Sequence, residues 1–308
     1  MTPDEMRPWA SPPHDPLPEP TVSGPNPSAS KPVRIAPPPN ACDAHCHVFG
    51  PAASFPFSPT RSYTPPDSGV DDFLRLQDTL GLRRAVLVQA SCHGADNSAM
   101  LDAIVRGDGR FAGVAMIDES YSDDDLRMLH DHRVRGTRFN FVEHLGGQPD
   151  LDVFWRLVRR VEPLGWHIVL HFDAKDLPEH AELLDALPVP YVIDHMARVP
   201  AGDGVDQEPF QYLLDRMRTD EKCWVKISCA ERLTEGRVAP YDDVVPFAQA
   251  LVEAAPDRIL WGTDWPHPNL TVMPNEGHLL DLLVDFVPDE AIRNQILVDN
   301  PARLYPFD

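Results

Sequence analysis

The sequence predicts an α/β protein built as one (β/α)₈ TIM-type barrel, with an extended Pro-rich arm at its N-terminus. Three observations predict it. Short apolar runs alternate with amphipathic segments eight times over roughly 265 residues, the size of such a barrel. The polar residues able to do chemistry fall at the C-terminal ends of those runs, where a barrel of this kind places its site. No GxGxxG or GxxxxGK[ST] follows an early strand, which removes the doubly wound sheet as a competitor.

Residues 1–40 form the arm. Pro, Ser and acidic residues dominate it, densest in PPHDPLPEP and APPPN, so it cannot build a packed helix or a central strand. Whether it is disordered or wraps the domain or a partner subunit is open from sequence. It has too few apolar residues to supply a core layer, so a barrel lacking residues 1–30 is expected to fold. The barrel domain is residues 41–308. Its predicted strands are 41–49, 85–91, 112–117, 136–141, 167–172, 191–195, 224–228 and 259–264, with helices such as 71–81, 97–107, 150–165 and 243–255 between them.

Composition narrows the function. The chain has 308 residues and is 43% hydrophobic, enough to bury a sizeable core. Its 27 Lys+Arg against 48 Asp+Glu give a formal net charge of −21, a field that repels nucleic acid and anionic membranes. An anionic small molecule requires local arginines to overcome that field. No apolar run spans a bilayer and no basic-then-apolar leader opens the chain, so a cytoplasmic location is expected. The five cysteines are unpaired in pattern and fit reduced thiols.

The strand ends carry DAHCHVFGP, VQASCHG, VLHFDA, VIDHMAR and WGTDWPHPN. Residues two apart on a strand point the same way, so His45 and His47 share a face and Cys46 points outward. Alone, HxH is weak evidence, since buried histidines are commonly hydrogen-bonded structural groups. His171, His195 and Asp264 at three further strand ends strengthen the set. Imidazoles with a carboxylate suit a divalent ion such as Zn²⁺, with a position open for water. By alternation Asp194 points away from His195, Arg138 points inward and Arg135 outward. His267 and the tryptophans flanking Asp264 read as packing groups, and the acidic run 123–125 as a helix N-terminus.

Taken together, DAHCHVFGP, FPFSP, VQASCHGADN, RGTRFNF, VIDHMAR and WGTDWPHPN resemble the amidohydrolase superfamily, in the branch of the 2-pyrone-4,6-dicarboxylate lactonases, from about residue 41 to 305. The resemblance implies hydrolytic opening of a small dianionic lactone from the breakdown of aromatic compounds. It implies that Asp264 is the general base acting on water and that His45, His47 and His195 surround the lactone carbonyl. It places Arg138, Arg198, Arg232, Tyr63, Ser91 and Asn269 around the substrate, where guanidinium forks suit carboxylate or sulfonate groups. Two positions depart from the metal-independent lactonases of the branch. His171 stands for a tyrosine, and Glu143 and His144 follow FNF where an arginine clamp is found, which leaves His144 as a substrate-binding candidate and the choice of lactone open. His171 completes a metal set of His45, His47, His171 and Asp264, so one divalent ion, Zn²⁺, is expected, as in the zinc-containing 4-sulfomuconolactone hydrolases of the same branch. A metal-free scheme, a metal-dependent decarboxylase or hydratase, and a barrel that only binds an anion are the alternatives.

Overall fold

The computed structural model describes residues 19–236 and 238–307 and, for His144, the backbone alone. Eight parallel strands follow one another around a barrel: β1 Cys42–Cys46, β2 Arg84–Val88, β3 Phe111–Ala115, β4 Val134–Asn140, β5 His167–His171, β6 Tyr191–Ile193, β7 Cys223–Lys226 and β8 Ile259–Leu260. The seam between β8 and β1 is joined by the Ala44 N–H donating to the Trp261 carbonyl at 2.8 Å and the Asp264 N–H to the His45 carbonyl at 2.8 Å.

The barrel has two apolar layers. Small residues such as Ala44, Val86, Val88, Ala112, Val114 and Val192 fill the interior, while larger ones such as Leu87, Phe111, Ile168, Leu170 and Ile193 pack outward under the helices. A narrow interior takes alanine and β-branched residues best, and burial on both faces is why the strands read as near-continuous apolar runs.

The predicted helices appear as Val70–Leu80, Ser98–Arg106, Leu151–Val161 and Val245–Ala254. Local chemistry sets their ends. Gly81 closes the first at φ 75°, with its N–H on the Gln77 carbonyl. The acidic run opens the helix Asp123–Asp131 inside a Ser122/Asp125 capping box. The helix Leu151–Val161 stops four residues early, because Pro163 lies in a 3₁₀ turn that ends at Gly165 with φ 70°.

Several strands are also shorter than predicted. The chain leaves β6, β7 and β8 through left-handed residues: His195 to Arg198 at φ 50–54°, Cys229 at 63° and Asp264 at 62°. Non-glycine residues in that region cluster at functional sites, because the surrounding structure must hold them there.

The described part of the arm, residues 19–40, has no helix or strand and runs along the barrel. Asn26 donates to the Pro274 carbonyl at 2.9 Å, Ser30 Oγ to Asn275 Oδ1 at 2.8 Å, and the backbone N–H groups of Val33 and Arg34 to the Asp281 carboxylate at 2.9 and 2.7 Å. These partners lie on or just before the helix Glu276–Phe286. A side chain at Gly277 would begin 2.1 Å from the Ser30 carbonyl oxygen, so this glycine is what lets the arm approach. The apolar share of the contact is small, Ala29 and Ile35 being only partly buried.

Candidate active site

At the C-terminal mouth of the barrel, the predicted site residues line one pocket, apart from two. His45 is fully buried behind Asp264, and the His144 side chain lies outside the described residues. Tyr63, Ser91, Arg138, His171, Arg198 and Asn269 share the wall with His47, His195, Arg232 and Asp264.

Asp264 is the centre of this group. Its Oδ1 faces Nε2 of His47 at 3.3 Å, of His45 at 3.5 Å and of His195 at 3.8 Å. Its Oδ2 accepts from Arg232, at 2.9 Å from Nη2 and 3.3 Å from Nε. Burial alone would raise this carboxyl. The Arg232 guanidinium and the neighbouring imidazoles outweigh that and hold it well below the usual carboxylate range, so Asp264 is ionised.

Partners on the far side of each ring set its orientation. His47 Nδ1 lies 2.7 Å from the Val88 carbonyl, which can only accept, so in the neutral ring Nε2 presents a lone pair to the pocket. His195 Nδ1 is 2.8 Å from Ser228 Oγ and 3.0 Å from Cys229 Sγ. Burial pushes the His195 ring down to about 3, and burial first, then Lys226, pushes His45 well below the ordinary value. Both are therefore neutral. Asp43 braces β1 against β8 by accepting from the N–H groups of His45 and Thr263 and from Thr263 Oγ1 at 2.6 Å. A side chain at Gly262 would start 2.4 Å from the His45 nitrogen, so only glycine permits this approach.

The arginines are less free than a substrate clamp suggests. Arg138 is almost buried, with Nε on Asp194 Oδ2 at 2.9 Å and Nη2 on His171 Nδ1 at 3.1 Å. Arg198 Nε is held by Asp173 at 2.7 Å, and Arg232 by Asp264. Each is a paired cation that can exchange or share its carboxylate with an incoming anion.

Three functional groups escaped the sequence reading. Lys226 is fully buried at the inner end of β7, with Nζ 2.9 Å from His45 Nδ1 and 3.0 Å from Asp194 Oδ1. Asp194 joins Lys226, Arg138 and His45 into one buried network. Strand parity could have found Lys226, which shares a face with the interior Trp224. Asp194 was hidden because alternation assumes extended backbone, and the chain turns left-handed at His195; both side chains consequently reach the site. The third is His267, fully buried between Glu231 at 3.6 Å and Glu276 at 3.4 Å.

Whether these residues suit a divalent ion can be tested on their geometry. A tetrahedral ion with bonds of about 2.0–2.1 Å has ligand-to-ligand edges of about 3.3 Å, and the Asp264 to imidazole distances fall close to that. Two triads converge among the described residues, His45, His195 and Asp264, and Cys229, Glu231 and Asp264, each with ligand atoms within 4.8 Å of one another. His171, expected as a ligand, is engaged through Nδ1 by Arg138 and Asn140, both at 3.1 Å, while its Nε2 is buried without a partner. His195 rather than His171 is the further imidazole within 4 Å of Asp264 among the described residues. Hydrogen bonding opposes the triad at His45: Nδ1 receives a Lys226 hydrogen, which leaves the ring proton on Nε2, the atom an ion would need. As bonded here, His45 does not offer the lone pair that the ion needs.

The comparisons agree with the barrel. A family model described as amidohydrolase, Amidohydro_2, matches residues 42–307. The chain is 48% identical over 276 residues to a 2-pyrone-4,6-dicarboxylate hydrolase of Comamonas testosteroni, covering 87% of this chain and 90% of that one. It is 44% identical over 290 residues to a 4-sulfomuconolactone hydrolase of Rhizobium radiobacter, covering 93% and 96%. Among solved structures, a putative 2-pyrone-4,6-dicarboxylic acid hydrolase from Pseudomonas putida superposes with a TM-score of 0.76 at 30% identity, covering 86% of this chain and 97% of that one.

Proposed function

The chain belongs to the amidohydrolase family, and from that premise we propose that it hydrolyses a small dianionic lactone, of the 2-pyrone-4,6-dicarboxylate or 4-sulfomuconolactone kind, as a carboxylic ester hydrolase of aromatic catabolism. The observation that carries this reading is the ionised Asp264 on the pocket wall, with His47 Nε2 3.3 Å from its Oδ1. A water molecule between them has somewhere to put its protons as it attacks a carbonyl. Asp264 takes the proton as water adds to the carbonyl, the ring C–O bond then breaks as the tetrahedral intermediate collapses, and the proton passes to the leaving ring oxygen.

The arginines supply the second half of the argument. A chain with a net charge of −21 binds a dianion only where cations are concentrated, and Arg138, Arg198 and Arg232 line one small pocket. A substrate carboxylate or sulfonate that draws Arg232 away from Asp264 also raises the basicity of Asp264, because the guanidinium is what depresses it. Binding of the correct anion thereby prepares the base. Tyr63, Ser91 and Asn269 complete the wall, and His144 stays a substrate-binding candidate on sequence grounds alone.

The finer expectation of one bound Zn²⁺ requires His45 to surrender its Lys226 hydrogen bond; no step here is routed through an ion. No helix among the described residues is long and apolar enough to cross a membrane. The test is a panel of unsaturated dianionic lactones followed by ultraviolet absorbance, with product mass recorded. The expected product is substrate plus one water with no CO₂ released. Decarboxylation or hydration of a double bond with the ring intact would assign a different reaction.

A further inference from the structure

We propose that Lys226 is a positioning residue that fixes His45 as an Nε2–H donor facing the Asp264 carboxylate and thereby keeps His45 from ligating a metal ion. The inference rests on reading the pocket as the lactone-opening site, and it explains why a converging triad is joined to a buried lysine.

A lysine is an unusual occupant of a barrel interior, and Lys226 is 0% exposed. Its charge is matched by Asp194, whose Oδ1 lies 3.0 Å from Nζ and whose Oδ2 accepts from Arg138 Nε at 2.9 Å. The Lys226–Asp194 contact is an ion pair without hydrogen-bond geometry at Oδ1, so the ammonium has hydrogens left to give, and it has no lone pair to accept with. The neighbour within reach is His45 Nδ1 at 2.9 Å. Asp194 Oδ1 is farther from that nitrogen, at 3.3 Å, than Lys226 is. His45 Nδ1 is therefore an acceptor, and the single proton of the neutral ring sits on Nε2.

That Nε2 is buried and lacks a hydrogen-bond partner, its nearest oxygen being Asp264 Oδ1 at 3.5 Å. A buried N–H left unsatisfied behind Asp264 costs free energy in the resting protein, and it recovers that cost by closing on the Asp264 carboxylate that handles the proton. To bind an ion through Nε2 the ring must carry its proton on Nδ1, which would then face the Lys226 hydrogens across 2.9 Å. Lys226 and a metal ion thus compete for opposite tautomers of His45. In Lys226→Met that conflict is gone: Nδ1–H can turn to Asp194 Oδ1, and Nε2 is free to join His195 and Asp264.

The direct test reads the tautomer in the intact protein. In ¹⁵N-histidine-labelled, chelator-treated wild type, with His45 assigned by its loss in His45→Gln, ring NMR should show Nε2 protonated and Nδ1 bare. A proton on Nδ1 would overturn the proposal, whatever substrate the enzyme takes. In Lys226→Met the pattern should reverse, Zn²⁺ titrated alone should bind at least tenfold more tightly than to wild type, and kcat should fall about 100-fold with KM within threefold. Unchanged Zn²⁺ affinity and an unchanged tautomer in Lys226→Met would reduce Lys226 to a structural charge. Should Lys226→Met not fold, the double variant Lys226→Met/Asp194→Asn restores charge balance for the metal titration, and the wild-type tautomer decides the question by itself. If the tautomer is as proposed and no lactone is opened, the functional reading fails and the Lys226 assignment stands.

Discussion

The imidazolium of His267 joins the turn that carries Asp264 to two buried glutamates, so its loss should be visible in the pH dependence of stability. Burial opposes the charge, yet Glu231 and Glu276 raise the His267 pKa from 6.5 to about 9. A raised folded-state pKa contributes stability that is complete below about pH 6.5 and is lost as pH rises through about 9, since the folded state holds a proton that the unfolded chain has released. The gap is worth about 3 kcal/mol, at about 1.4 kcal/mol per pH unit. The perturbation is His267→Gln, which keeps much of the shape and removes the titration. Urea unfolding measured from pH 6.5 to 9.5 should show wild type losing about 3 kcal/mol more than the variant over that range. The variant should also be less stable at pH 6.5, because Glu231 and Glu276 are then buried without their cation. Parallel stability curves for the two proteins would refute the imidazolium and with it the ionic tie behind the site.

Arg198→Met should raise KM at least tenfold with kcat little changed, since Arg198 is held at the pocket wall through Asp173 and acts on a charge present throughout the reaction; a kcat collapse at constant KM, read by steady-state kinetics, would give it a transition-state role. Arg138→Met should cost about 3–5 kcal/mol of stability in denaturant titrations, because it strips a cation from buried Asp194; a loss confined to substrate affinity would show a free clamp instead. Deleting residues 1–35 should leave a folded barrel with a thermal midpoint several degrees lower, about 1–2 kcal/mol being lost with the Ser30, Val33 and Arg34 contacts; an unchanged midpoint by calorimetry would show that those contacts contribute nothing. Exhaustive chelation should leave the rate within threefold while Lys226 holds His45, and a rate lost to chelation and restored by Zn²⁺ would show that the ring changes tautomer.

The barrel was legible in the sequence because parallel strands buried on both faces are apolar runs and the helices between them carry caps and a 3.6-residue period. Strand-end chemistry was legible for the same reason: His47, His195, Arg138 and Asp264 occur where a (β/α)₈ barrel opens to its site. What escaped depends on backbone that departs from regular geometry. The parity argument that set Asp194 against His195 fails at a left-handed residue, and β1 shifts register between Asp43 and Cys46. Expected pairings also gave way to long-range partners that composition does not announce: Arg138 goes to Asp194, His171 to Arg138, and Lys226 crosses from β7 to the first imidazole. The arm read as extended for sound compositional reasons, but its docking depends on Gly277 and Asp281, about 250 positions downstream in a helix whose surface shows no such purpose until the two segments meet.

The central claim is that Asp264 drives water onto a lactone carbonyl, and the most direct measurement is the ring-opening rate of Asp264→Asn beside wild type on 2-pyrone-4,6-dicarboxylate and on 4-sulfomuconolactone. The asparagine keeps the shape and cannot take a proton. The account predicts that wild type opens at least one of the two lactones and that the variant, with its fold intact by circular dichroism, is slower by a factor of about 100 or more. A variant that retains more than about a tenth of the wild-type kcat, a loss of under about 1.4 kcal/mol, would contradict the role of Asp264 as the base.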